Sequence, residues 1–163
     1  MRMKTLAFAT LFVAVFAGSF LMPTAAKNDR IFVTHLSGDE EVPAVDTKAQ
    51  GQAIFMLSKD GTELRFILIA AKLENITMSH IHLAPVGQNG PIVVWLYPLA
   101  PPPLLIPGTF NGVLSSGTIT ETDLVGPLEG MSLSALLSEM MAGNTYVNIH
   151  TEQNPGGEIR GQL

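Results

Sequence analysis

Along most of the chain, apolar and polar residues alternate in short runs instead of recurring at helical spacing. "IFVTHLS" (31–37), "QAIFMLS" (52–58), "ELRFILIAA" (63–71), "MSHIHLA" (78–84) and "PIVVWLY" (91–97) read as strands, as do "GVLSSGTIT" (112–120), "TYVNIH" (145–150) and "EIRGQL" (158–163). Turn formers separate several of them. Lys59-Asp60-Gly61-Thr62 carries an Asp-Gly hairpin signal, and Gly87-Gln88-Asn89-Gly90 and Asn154-Pro155-Gly156-Gly157 are turns of the same kind. "PLAPPPLLIPG" (98–108) is too rich in proline to pair as a central strand, so an extended surface loop is expected there. One stretch has a different period. Leu133, Leu136, Leu137, Met140 and Met141 recur at three and four, which predicts one short helix near 131–142, stopped by Gly143 and Asn144, with its methionines used for packing. The pattern predicts an all-β fold, an antiparallel Greek-key-like β-sandwich with that single helix.

Strand alternation assigns faces to the histidines. Ile81 and Leu83 share one face of their strand, and His80 and His82 the other. Val147 and Ile149 likewise oppose Tyr146, Asn148 and His150. With the aliphatic faces as core, all three histidines are expected on non-core faces. Two imidazoles at i and i+2 project side by side, and a third from a neighbouring strand would complete a three-nitrogen set suited to copper or zinc. In that reading Gly87, Asn89, Gly90, Asn154 and Gly156 form supporting turns. The alternative reading makes the histidines polar residues on the outer face of a sheet. His35 alternates with Ile31 and Val33 and is expected at the end of a core-facing row, partly buried. Asp39-Glu40-Glu41 lacks the alternating acidic spacing of a calcium loop and reads as a solvated loop.

The start of the chain changes the picture of where the domain works. Arg2 and Lys4 precede an uncharged apolar run from Leu6 to Met22, and small residues follow at Thr24-Ala25-Ala26. This is the layout of a secretory signal peptide, residues 1–26, which leaves a mature domain of 27–163 in the secreted fraction, the periplasm or the cell envelope. The alternative is an N-terminal anchor holding the same domain outside the membrane. After cleavage no other segment is apolar and long enough to span. Loss of Arg2 and Lys4 takes nine basic residues to seven, against fourteen acidic ones, for a net charge near −7. Such a surface repels phosphate backbones, so nucleic acid is not an expected partner.

The chain contains no cysteine. That excludes disulfides, thiolate metal sites and cysteine nucleophiles, and leaves histidine and carboxylate as the donors for any transition metal. No Gly-x-Ser-x-Gly elbow and no phosphate loop occurs, so no catalytic residues are assigned.

Three ordered blocks, "LSGDEEVPAVDTKAQGQAIFMLS", "SHIHLAPVGQNGPIVVWLY" and "NTYVNIHTEQNPGGEIRGQL", resemble the CHRD domain first recognised in chordin, over about residues 31–163. The resemblance implies an extracellular all-β domain of the stand-alone exported bacterial kind, and no reaction. The histidine pair, the glycine-rich turn and the later histidine also resemble copper/zinc superoxide dismutases. By that likeness His80 and His82 would be the copper-side pair and His150 the distant ligand, although the cysteine pair and the histidine-rich zinc loop of those enzymes are missing. Two functions are therefore expected. One is a non-enzymatic binding domain for an extracellular or envelope partner, using a patch at Leu104, Leu105 and Ile106 with Trp95 and Tyr97 leading into it. The other is a copper- or zinc-binding protein with His80, His82 and His150 as ligands.

Overall fold

The computed structural model describes residues 31–163, so the expected export segment, 1–26, lies outside the described residues. The fold is mostly β. Its strands are β1 (Ile31–Ser37), β2 (Gln50–Leu57), β3 (Leu64–Leu83), β4 (Ile92–Tyr97), β5 (Ile106–Ile119), β6 (Thr145–Thr151) and β7 (Ile159–Gln162). The one α-helix among the described residues, α1, spans Leu133–Met141, inside the expected range. Leu133, Leu136, Leu137 and Met140 are buried on its inner face, and Met141, the last of the apolar stripe, is exposed.

All seven strands form one antiparallel sheet with the order β2-β1-β7-β6-β3-β4. β2 also pairs with β3, so the sheet curls back on itself in a barrel-like ring, and β5 branches from β3. β3 makes this possible. The two runs 63–71 and 78–84, which look like separate strands in the sequence, form a single strand of 20 residues. Its first part pairs with β2 and β5, and its second part with β4 and β6. Between them the ladder shifts register near Lys72 and Asn75, both of which adopt positive φ (60° and 54°). Extra residues at such points bend a strand and turn its next stretch toward new partners. Asn75 tolerates that backbone and accepts a hydrogen bond through Oδ1 from the Gly108 amide at 2.7 Å.

The core runs through the ring. Leu36, Phe55, Phe66, Leu68, Ile81, Val147, Ile149 and Ile159 are buried there, and α1 closes against the same cluster. β1 faces the opposite way from the expected arrangement. Thr34 and Leu36 point inward, while Ile31 and Val33 are 62% and 54% exposed, so His35 is on the solvent side and not in a core row. Pairing with β2 in the register Leu36↔Gly51 and Thr34↔Ala53 decides this, because Gly51 and Ala53, with Phe55, are the buried positions of β2. β6 is the opposite extreme, with every residue from Thr145 to Thr151 buried. A strand buried on both faces needs a second cover over its polar side, and that cover builds the site.

Candidate metal centre

The polar faces of β3 and β6 lie side by side in the register His82↔Tyr146, His80↔Asn148 and Met78↔His150, with Asn148 in turn opposite Arg160 on β7. This places His80, His82 and His150 in one cluster. One ring nitrogen from each lies within 4.8 Å of the others. His80 Nδ1 and His150 Nε2 are 3.2 Å apart. Nitrogen donors about 2.0–2.1 Å from a zinc ion stand roughly 3.3 Å apart at the corners of a tetrahedron, so that spacing suits two ligands of one ion.

The histidines take the non-core faces that strand alternation predicts, but the alternative reading, polar residues on an outer face, needs correction. They do point away from Ile81, Val147 and Ile149, but they are 0%, 8% and 5% exposed for His80, His82 and His150. Two loops and a stack of planar groups cover them. The 85–90 turn comes over His82, whose Nδ1 donates to the Gly90 carbonyl at 2.9 Å. The 153–157 turn comes over His150, whose Nδ1 donates to the Pro155 carbonyl at 3.0 Å. Tyr146 stacks on His82 (centroids 4.8 Å apart, planes at 5°), and the Arg160 guanidinium lies 3.4 Å from the centre of the Tyr146 ring. Arg160 then donates to Gln88 O, Asn89 Oδ1 and Gln162 Oε1, which ties the 85–90 turn to the sheet. On the other side Trp95 meets the His80 ring edge-on at 4.2 Å. Trp95 therefore belongs to the wall of this cluster and not to a patch around the proline-rich loop. Gly90 must be glycine, since a Cβ there would run into the Leu83 carbonyl.

The carbonyls fix the protonation pattern. With Nδ1–H of His82 and His150 donated to Gly90 and Pro155, the proton is absent from Nε2 of each ring, leaving a lone pair there. A carbonyl or carboxylate on the far nitrogen is the usual arrangement behind a metal-ligating imidazole. His82 Nε2 and His80 Nε2 are buried without a hydrogen-bond partner, as are Asn148 Oδ1 and Glu41 Oε1. Asn148 lies close enough to influence His82, yet it makes no well-aligned hydrogen bond to Nε2.

The rings are neutral near pH 7. Burial pushes His80 down to about 3, and the neighbouring His150 and His82 add repulsion. Burial pushes His150 down to about 4, with the Pro155 carbonyl opposing and His82 adding repulsion. His82 is lowered by burial and by Arg160, against the pull of the Gly90 carbonyl and Asn148. Neutral imidazole is the form that ligates.

Glu41 corrects a second expectation. Asp39 and Glu40 are exposed, but Glu41 turns inward and is 6% exposed. Burial raises its carboxyl from 4.5 to about 7, against the lowering effects of Arg160 and the Val42 amide. It separates two clefts, one of about 410 Å³ bounded by Glu40, Val86, Arg160 and Gln162, the other of about 300 Å³ bounded by Val45, Asn89, Asn154 and Pro155. Neither is lined by the histidines, which lie beneath the loops. Sequence reading missed Glu41, Asn148 and Arg160 as parts of the site. Strand parity does put Asn148 on the histidine face, but Glu41 sits in an irregular loop with no period to read.

In comparisons with known proteins, the family model for the CHRD domain matches residues 32–163. No curated protein and no solved structure matches the chain.

Proposed function

The chain belongs to the CHRD domain family, and on that premise we propose that its barrel-like sheet carries, on the face away from the core and beneath two turns, a three-histidine site for copper or zinc, in a domain exported to the cell envelope or beyond. The observation that carries this reading is the convergence of one ring nitrogen from each of His80, His82 and His150 within 4.8 Å, with His80 Nδ1 against His150 Nε2, carbonyls behind two of the rings, and Nε2 of His80 and of His82 buried without a partner. Hydrogen bonds to solvent do not account for nitrogens buried this deeply. A bound ion would supply positive charge where lone pairs meet. The overlying loops leave the histidines out of the adjoining clefts, which favours a carrier or structural site over a superoxide-consuming one, since that chemistry needs a coordination position open to substrate. The likeness to copper/zinc superoxide dismutases rests on the histidine pair, the glycine-rich turn after it and the later histidine, without the cysteine pair or the zinc loop. We read the bend of β3 between two sets of partners as a sandwich-like, Greek-key-like arrangement, as in sheets whose corners are made by strands that change partners.

The test is thermal unfolding of the mature protein with and without each metal. An ion present at one hundred times its dissociation constant adds about 2.7 kcal/mol of stability. The wild type should show a raised Tm that His150→Ala lacks. An unchanged Tm for the wild type with both metals contradicts the proposal.

A second reading is a binding module for an envelope or extracellular partner, and a separate observation favours it. Leu99, Leu104 and Leu105 around the proline-rich loop are 63%, 58% and 45% exposed, while Ile106 is half-buried against the core. Pull-down from envelope fractions with the wild type and with alanine at 104 and 105 tests it. Identical partners in both samples remove the patch from the account.

A further inference from the structure

Resting on the metal reading above, we propose that Asn148 supplies the fourth donor to the ion through Oδ1, giving a closed set of three imidazoles and one amide oxygen. Asn148 stands between His80 and Arg160 in the register of β3, β6 and β7, on the same face as His150. It is 2% exposed, and its Oδ1 is buried with no hydrogen-bond partner. An amide oxygen left unpaired in a protein interior costs about 1–3 kcal/mol, so a persistent one calls for an occupant.

The orientation of the amide points the same way. Asn148 Nδ2 is 2.8 Å from the place where a Cβ of Gly157 would lie, so the nitrogen end of the amide is turned toward Gly157. The oxygen end is turned away from Gly157 and is buried without a partner. His82 Nε2 already carries a lone pair, because its proton is held at Nδ1 by Gly90. His82 Nε2 and Asn148 Oδ1 are thus both buried acceptors with no donor, which costs stability for each. A cation ligated by both would offset that cost. Three imidazoles and an amide are all neutral, so the ion's charge would be balanced from outside the donor set, where Glu41 is, among the described residues, one of two buried carboxylates, the other being Glu158, and Arg160 is held back by Tyr146, Gln88, Asn89 and Gln162. A four-donor set without an open position is the mark of a structural or carrier site.

The experiment compares wild type, Asn148→Leu, Asn148→Asp and His150→Ala, each checked for fold by circular dichroism. Zinc affinity is measured by chelator competition and geometry by the visible spectrum of the cobalt(II)-loaded protein. Asn148→Leu keeps the shape but removes the donor, and should bind zinc at least about 10-fold more weakly, with a changed cobalt spectrum. Asn148→Asp keeps an oxygen in place and should retain the four-coordinate spectrum with equal or tighter binding. If Asn148→Leu does not fold, the Asn148→Asp spectrum decides: loss of the four-coordinate bands overturns the assignment. Wild-type affinity and spectrum in Asn148→Leu also overturn it, and would mean that water, not Asn148, completes the ion's shell. In that case binding by the wild type and its loss in His150→Ala leave the three-histidine site standing. Absence of binding in the wild type removes both.

Discussion

Acidifying the metal-free protein from pH 7 to pH 4 probes the buried cluster through the linkage between protonation and folding. His80 and His150 have folded values of about 3 and about 4, below the ordinary 6.5. Across that window the unfolded chain binds more protons, so the stability they contribute is present above 6.5 and is lost as pH falls toward the folded values. At pH 4 each has traversed about 2.5 pH units at ~1.4 kcal/mol per unit, roughly 3 kcal/mol apiece. Glu41 works against them. Its folded value of about 7 lies above 4.5, so its contribution is absent at high pH and grows on acidification, returning about 3 kcal/mol. The balance is a net loss of about 3 kcal/mol, to which the lowered His82 adds. Against a typical stability of about 5–15 kcal/mol, that is a large fraction. Urea unfolding followed by far-ultraviolet circular dichroism at pH 7, 5.5 and 4 should show a midpoint that falls steadily with an unchanged slope. In Glu41→Gln the fall should be steeper, since the opposing group is gone. A midpoint that is constant or rises toward pH 4 would refute the burial of neutral histidines.

Two further substitutions test the cover over the site. Gly157→Ala places a Cβ against Glu41 Oε1 and Asn148 Nδ2 at a backbone φ of +127°, and should destabilise by about 1–3 kcal/mol in urea titration while weakening metal binding. Arg160→Lys keeps the charge but loses the planar stack on Tyr146 and the forked bonds to Gln88, Asn89 and Gln162; hydrogen exchange of the 85–90 amides should speed up by at least about 10-fold, and unchanged protection would show that the turn is held by other contacts.

Period-two alternation made most strands readable, and the three-and-four spacing of 133–140 located α1, because both signals come from burial on one side of a regular element. The same reasoning paired Val147 with Ile149 and set His150 opposite them. It failed where both faces of a strand carry β-branched or apolar residues. "IFVTHLS" offers Ile31 and Val33 on one side and Phe32 and Leu36 on the other, and only the pairing with Gly51 and Ala53 of β2 selects the second as core. Alternation also says which side a residue takes, but not what covers that side. The burial of His80, His82 and His150 comes from loops folding over them and from Arg160 reaching across from β7, contacts with long separations along the chain and no local signal. The inward turn of Glu41 likewise has no local signal in the sequence.

The account stands on whether the three histidines hold one ion. Isothermal titration of the mature protein with copper(II) and with zinc, repeated on His82→Ala and His150→Ala, measures this directly. The wild type should bind one equivalent of at least one of the two metals, with affinity reduced at least about 10-fold in each variant and the circular dichroism of both variants still that of a β protein. Equal, weak and non-stoichiometric binding by all three proteins would contradict it.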